Sequence, residues 1–257
     1  MKAIYGILTM AALTVSTGSQ AAEESHNSFF QKDLYTFEAL AGVNIGGAAP
    51  IPLPVEIRKI ESYNPNLNLQ LGGSVTRHFS TSSRWAVRIG LNLETRGMET
   101  MAKVKNYGME IYQDGKKLSG RWTGKVHTRY HSQQLVIPIE GVFDCSRKIS
   151  VNLGPYLAYA FRNDFDGYVT DGYLREGDPT GNKVSFDTES RATYDFGDSL
   201  REFHWGIRGG VTWNAYRHFN VHANLTWGAN GIFESSFKTV SFALYPIYLN
   251  LGFGYRF

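Results

Sequence analysis

The chain has 257 residues, of which 42% are hydrophobic and 14% aromatic, and its formal net charge is +3. A charge this small argues against a nucleic-acid-binding protein, and the single cysteine, Cys145, excludes an internal disulfide and a thiolate zinc site. Mean hydropathy is −0.27, and past the N-terminal segment no apolar run approaches the ~20 residues of a membrane-spanning helix.

The N-terminus has the pattern of a secretory signal peptide. A lysine at the second position is followed by the mostly apolar segment Ala3–Val15 and by Ser19-Gln20-Ala21, a small-x-small cleavage site. We therefore expect residues 1–21 to be removed, which leaves residues 22–257 as a single domain. The polar residues that follow directly disfavour the alternative, a buried N-terminal helix.

Eight later segments alternate apolar side chains with polar or small ones, the period expected of a strand with one face on lipid and the other on a lumen. In chain order they span residues 37–46, 67–76, 85–93, 135–143, 149–161, 203–213, 219–227 and 243–257. We predict an all-β fold, an eight-stranded antiparallel up-and-down transmembrane β-barrel. A soluble β-sandwich with an aromatic core is the alternative.

The connections between these segments alternate between short and long. Three are short polar turns, at residues 79–85, 143–149 and 213–219, and four are long, at residues 47–66, 98–129, 162–200 and 229–239. Outer-membrane barrels have this asymmetry, with tight periplasmic turns and long extracellular loops. We predict a bacterial outer-membrane location, long loops outside, and both termini in the periplasm because the number of strands is even.

Aromatic residues on the apolar face gather at the strand ends. We predict that one ring lies at the membrane interface on the short-turn rim, where aromatic side chains are enriched. Its members are Phe37, Phe79, Trp85, Phe143, Trp213 and Phe219. The last strand ends in Phe253, Tyr255 and Phe257, which resembles the terminal signal for barrel insertion. The barrel-assembly machinery is therefore an expected partner, together with outer-membrane lipid.

Eight strands enclose a lumen only wide enough for side chains, so we expect a packed interior rather than an open pore. Glu38 and Arg256 lie near one rim on the first and last strands, which are neighbours in a closed barrel. Arg88 and Glu140 lie at similar heights on the third and fourth strands. We predict one ion pair from each couple, because buried charges need partners.

The two longest loops carry opposite charge. Residues 98–131 contain seven basic and three acidic side chains, whereas residues 162–202 contain five basic and ten acidic ones. This complementarity predicts that the loops contact each other or bind lipopolysaccharide or an envelope protein. Independent solvated charges are the alternative.

Catalytic and metal-binding patterns are weak. The pair His131-Ser132 admits a lipid-modifying enzyme, but no set of serine, histidine and acid with a triad pattern is visible. The segment 163–167 resembles the start of a calcium loop but lacks its distal glutamate. We predict no catalytic residue, no metal and no cofactor.

Four segments resemble the PorT-type outer-membrane β-barrel proteins of the Bacteroidetes, a porin-like family. They are Gln134–Glu140, Asn152–Tyr159, Gly206–Val211 and Leu249–Phe257. The resemblance implies a small barrel without catalytic residues, and the family's namesake is implicated in type IX secretion and gliding. We therefore expect a non-enzymatic barrel with a structural or interaction role, assisting protein secretion or surface assembly. A narrow solute channel and a lipid-modifying barrel enzyme are the alternatives.

Overall fold

The computed structural model describes residues 32–113, 116–187, 189–240 and 242–257, so the predicted signal peptide at 1–21 lies outside the described residues. Within them are two short 3-10 helices, Lys32–Leu34 and Gly197–Ser199, and eleven strands. The strands are β1 (Tyr35–Pro50), β2 (Ile57–Asn64), β3 (Asn68–His78), β4 (Trp85–Gln113), β5 (Lys116–Asp144), β6 (Ile149–Glu176), β7 (Lys183–Phe186), β8 (Ala192–Asp195), β9 (Phe203–Trp213), β10 (Phe219–Gly228) and β11 (Leu244–Arg256). No helix in this part of the chain has the length and apolar character needed to cross a membrane.

Eight of the strands close into a ring in a single sheet. The order around the ring is β4, β3, β1, β11, β10, β9, β6 and β5, and β5 pairs back onto β4. Every neighbouring pair is antiparallel. This confirms the predicted all-β, antiparallel, eight-stranded ring, while β2, β7 and β8 are three further strands that the alternation pattern did not indicate. Each strand of the ring is thus paired on both sides, which is how a membrane barrel satisfies its backbone hydrogen bonds.

The ring has an apolar outer face and a polar inner face. Side chains such as Leu71, Leu91 and Ile207 are exposed on the outside. Asparagines and glutamines such as Gln70 and Asn224 are buried inside. This distribution is the reverse of a soluble protein, and it is the one that a lipid-facing barrel requires.

Three neighbouring strands continue far beyond the ring. β4 and β5 each have 29 residues and β6 has 28, against 11 for β3 and for β9. At ~3.4 Å per residue the additional length projects by on the order of 40–50 Å from the long-loop rim. The residues predicted as loops at 98–129 and 162–200 are therefore largely strand, which corrects that interpretation. We call the parts of β4, β5 and β6 beyond Arg96, Ser132 and Arg162, together with β7 and β8, the extension.

The polarity of the two faces inverts where the strands leave the ring. On β5 the inward side chains are apolar in the extension, at Trp122 and Tyr130, and become polar at Gln134. The outward side chains change in the opposite sense, from the charged Arg129 to the apolar Ile139. The extension thus has an apolar interior and a charged exterior, as a soluble domain does.

An aromatic and aliphatic core fills the extension. Strand β8 pairs with β6 and bridges to β4 at Tyr112↔Thr193, so it covers the open side of the three long strands. The buried members include Met109, Ile111, Trp122, Val126, Phe165, Val169, Leu174, Phe186, Tyr194 and Phe196. Ring centroids are 5.4 Å apart for Trp122 and Phe186 and 4.9 Å apart for Phe165 and Phe233. The same cluster includes Ala48 of β1 and Leu244 of β11, so the hydrophobic core of the extension reaches down to the long-loop rim of the ring.

Candidate functional site

The interior of the ring contains a chain of buried ion pairs. Arg96 Nη2 lies 2.9 Å from Glu94 Oε2, and Arg208 Nη1 lies 3.9 Å from Glu94 Oε1. Arg208 Nε is in turn 3.4 Å from Glu140 Oε1. All four side chains are buried. Each buried charge has an opposite charge beside it, which offsets the cost of removing it from water.

Aromatic rings close the interior on the side of the extension. The guanidinium of Arg96 lies 5.5 Å from the ring centroid of Tyr156 and 5.3 Å from that of Tyr248. Both tyrosines are almost completely buried, a setting in which cation–π attraction is strongest. Arg96 is thereby fixed between a carboxylate and two rings at the long-loop end of the lumen.

The register places Glu38 directly opposite Arg256, as expected for neighbouring first and last strands. Their side chains nevertheless take other partners. The Glu38 carboxylate accepts hydrogen bonds from Ser74 Oγ, at 3.4 Å, and from Asn220 Nδ2. Arg256 Nη2 donates to Asn214 Oδ1 at 2.7 Å. Glu38 and Arg256 are therefore neighbours, as predicted. Their side chains form hydrogen bonds with neutral groups in place of the predicted ion pair.

The second predicted couple behaves similarly. Arg88 lies opposite Glu140 in the β4–β5 register. Its Nε donates to Thr76 Oγ1 at 3.0 Å, while Glu140 accepts from Asn152 Nδ2 at 3.0 Å and pairs with Arg208. The sequence interpretation missed Glu94 and Arg96 as ion-pair residues. Glu94 and Arg96 lie an even number of residues after Arg88 on the same strand, so their side chains point inward as that of Arg88 does. Extending this alternation beyond residue 93, where the predicted strand ended, would have indicated them.

The space inside the ring narrows to a blind end. A cavity of about 690 Å³ opens at the short-turn rim, lined by Arg84, Arg88, Arg256 and Asp144 among others. Further in, between Glu38 and Arg208, the remaining void is about 10 Å³. A single water needs ~10–15 Å³. At this level the lumen is narrow and filled mainly by buried polar side chains.

The predicted interface aromatics lie together at the short-turn rim. The side chains of Phe37, Phe79, Trp85, Trp213 and Phe219 are exposed, as are those of Phe253, Tyr255 and Phe257 in the predicted insertion signal. Phe143 is half-buried against Trp85, with ring centroids 4.7 Å apart. Contact of this ring with the membrane interface stays a prediction.

The oppositely charged loops form adjacent strands of the extension. Arg129 Nε donates to Asp166 Oδ1 at 2.9 Å, and Lys125 Nζ lies 2.8 Å from Asp171 Oδ2. The hydrogen bond from Lys125 to Asp171 raises the pKa of the lysine. Basic β5 therefore pairs laterally with acidic β6. Binding of these charges to lipopolysaccharide or to a protein stays a prediction.

Ser132, the candidate nucleophile, is completely buried. Its hydroxyl accepts a hydrogen bond from Gln134 Nε2 at 3.0 Å. Among the residues that the structure describes, no group of three His, Cys, Asp or Glu side chains is arranged to hold a metal ion.

A closed antiparallel ring with an apolar outer band and a packed polar interior defines a membrane β-barrel. The chain belongs to the family described as outer membrane protein beta-barrel domain, which matches residues 24–234. Its place is therefore the bacterial outer membrane.

Several solved outer-membrane barrels are similar to the chain. A major outer membrane protein from Thermus thermophilus has 15% sequence identity and a TM-score of 0.39, covering 87% of this chain and 99% of its own. The attachment invasion locus protein Ail of Yersinia pestis, in complex with the heparin analogue sucrose octasulfate, has 12% identity and a TM-score of 0.36, covering 87% and 97%. Neisserial surface protein A has 11% identity and a TM-score of 0.34, with the same coverage. No curated protein sequence matches the chain.

Proposed function

We propose that the protein is a non-enzymatic outer-membrane barrel that works through its extension, as a binding platform for an envelope protein at the cell surface. In this proposal the termini are periplasmic and the extension is extracellular. The observation that carries it is the pairing of a closed interior with a folded extension. The resemblance to PorT-type barrels supports assistance of protein secretion or surface assembly as the process served.

The form of the extension supports a binding role. Its core holds three long strands in one arrangement, so little conformational entropy is lost when a partner binds the exterior. The exterior carries charged side chains such as Arg121 and Lys125, which favour recognition of a charged partner.

Photocrosslinking in intact cells tests this proposal. A photoreactive residue in place of Arg121, on the outward side of the extension, is expected to give adducts with a discrete protein. The matched control is the same residue in place of Ile139, which lies on β5 in the apolar band, and only lipid adducts are expected there. Absence of a protein adduct from several extension positions would contradict the proposal.

The closed interior predicts that the purified barrel carries no steady current in planar bilayers. Between Glu38 and Arg208 the lumen is filled by buried polar side chains and the void that they leave is about 10 Å³, which is too small for a hydrated ion. The measurement is single-channel recording at a series of voltages. Reproducible unitary steps that scale with salt concentration would support the narrow solute channel instead.

The proposed insertion signal predicts that altering Phe257 impairs assembly of the barrel into the outer membrane. We expect Phe257→Ala to lower the amount of folded barrel in the outer membrane several-fold, because the terminal ring belongs to the proposed insertion signal. The amount is measured from heat-modifiable electrophoretic mobility in membrane fractions. The control is Phe219→Ala, which removes another exposed ring at the same rim. Equal losses in both variants would show that the rim needs aromatic residues in general and not a terminal one.

A further inference from the structure

Strands β1 and β2 separate at the long-loop rim and leave a gap between them. The β1–β3 pairing ends at Asn44↔Asn68. Beyond it, β1 continues on β11 up to Pro50↔Leu244, whereas β2 stays paired with β4. Tyr63 Oη crosses the gap and donates to the Gly46 carbonyl oxygen at 2.8 Å. The barrel wall therefore has a lateral slot above β3.

An apolar cavity of about 430 Å³ lies behind this slot. Its lining includes Ala49, Ile57, Ile60, Ala102, Val104 and Leu244. The volume falls within the ~300–1,000 Å³ of small-molecule sites, but such sites ordinarily include a few polar groups that orient a polar ligand. Here hydrocarbon dominates the lining, which suits an aliphatic chain.

Two irregularities in β2 direct its apolar side chains into the cavity. The β2–β4 register shifts between Ile57 and Lys59 and again between Ile60 and Ser62. A regular strand would turn Ile57 and Ile60 to opposite faces, whereas a bulge changes the phase of the alternation by one residue. As a result Ile57, Ile60 and Tyr63 all line the cavity.

The slot lies at the edge of the lipid-facing band. Ala49 and Gly47 on its β1 side are in register with Tyr245 and Ile247 of β11. Two positions further along β11, Leu249 is exposed on the apolar outer face. The connection that leads from β1 to β2 adds further exposed apolar side chains. They are Ile51, Leu53 and Val55. Exposed apolar side chains therefore flank the slot on the side of β1 and β11.

Lysines line up on the outer side of the same wall. In register, Lys59 lies opposite Lys103, and Lys103 lies opposite Lys125. Directly opposed like charges destabilise a sheet unless an opposite charge compensates. Lys125 has Asp171, but neither of the other two lysines belongs to an ion pair within 4.0 Å among the described side chains. An anionic group at this place would relieve the repulsion.

We propose that the slot binds a phosphate-bearing membrane lipid, with one acyl chain in the cavity and the headgroup beside Lys59 and Lys103. The lipid comes from the leaflet at the long-loop rim. The lipid site requires only that the barrel lies in a membrane. Its test is therefore independent of the proposed binding of a protein by the extension.

The test uses the full mature barrel in detergent micelles with a phosphatidic acid whose acyl chain ends in a photoreactive diazirine. At substoichiometric probe, adducts are expected on cavity residues such as Ala102 and Val104, mapped by peptide mass spectrometry. Each buried methylene changes affinity by about fourfold. Ala102→Phe fills the cavity and is expected to lower these adducts by at least about tenfold. Met101→Phe, at the adjacent position on the outward side of β4, leaves the yield unchanged.

Two further comparisons separate loss of lipid binding from loss of folding. Ile60→Gln, on the exposed strand β2, is expected to lower the yield as well, and heat-modifiable mobility shows which variants are folded. Replacing Lys59 and Lys103 by Gln lowers the yield for phosphatidic acid but not for an uncharged probe of the same chain length. Adducts confined to the lipid-facing band, or equal yields in folded Ala102→Phe and parent, overturn the proposal. Complete absence of cavity adducts, the result for a polypeptide occupant, also overturns it.

Discussion

Replacing Arg96 by methionine is expected to lower the free energy of unfolding by about 3–5 kcal/mol, the usual cost of removing one partner of a buried ion pair. Glu94 would keep only the more distant Arg208, at 3.9 Å. The contacts of the guanidinium with the rings of Tyr156 and Tyr248 would also be lost. Urea titration of the barrel in micelles, followed by tryptophan fluorescence, measures the change.

Two variants control this prediction. Arg162→Met removes an exposed arginine that lies 3.6 Å from Asp164, and surface pairs contribute about 0–1 kcal/mol. Adding Glu94→Gln to Arg96→Met removes the uncompensated carboxylate and is expected to recover part of the loss. If Arg96→Met and Arg162→Met cost the same, the buried network does not stabilise the barrel.

Replacing Trp122 by alanine is expected to destabilise the extension by about 3–5 kcal/mol, as other large core truncations do. The side chain is fully buried and packs edge-on against Phe186. Its indole nitrogen has no hydrogen-bond partner among the described residues, so the loss is one of packing. Because most of this core lies beyond the polar network of the lumen, unfolding is expected to stay local.

Limited proteolysis of intact cells measures this effect. Cleavage is expected within residues 98–131 and 162–200 of Trp122→Ala, while the ring keeps its heat-modifiable mobility. Tyr112→Ala is the matched control, since this aromatic residue of the same extension is exposed. Loss of the folded ring together with the extension would contradict the independence of the two cores.

The strands of the ring could be predicted because lipid demands apolar side chains at every second outward position. The extension could not be recognised in this way. Its alternation is inverted, as Arg129 and Ile139 show on one face of β5, and its phase is broken by register shifts such as that between Val104 and Tyr107. Because the outward residues of the extension are charged, the pattern of outward apolar residues predicted a loop there.

The contacts inside the barrel could not be predicted from strand order alone, because some side chains reach past the neighbouring strand to the next one. Glu38 on β1 meets Asn220 on β10, although β11 lies between them. Gly254 of β11 makes this possible, since a Cβ there would lie 2.6 Å from Glu38 Oε1 and 2.7 Å from Asn220 Oδ1. Strand order predicts nearest neighbours such as Glu38 and Arg256, but the missing side chain of a glycine decides which groups meet.

The same three strands that cross the bilayer also form the extension, with hydrogen-bonded ladders that continue from one environment into the other. The β4–β5 ladder crosses the boundary without a register shift, whereas the β5–β6 ladder shifts between Gln133 and Gln134. In the orientation proposed above, a partner bound at the tip is held by these ladders at a defined height above the cell surface, and a pull on it loads the barrel as shear between neighbouring strands.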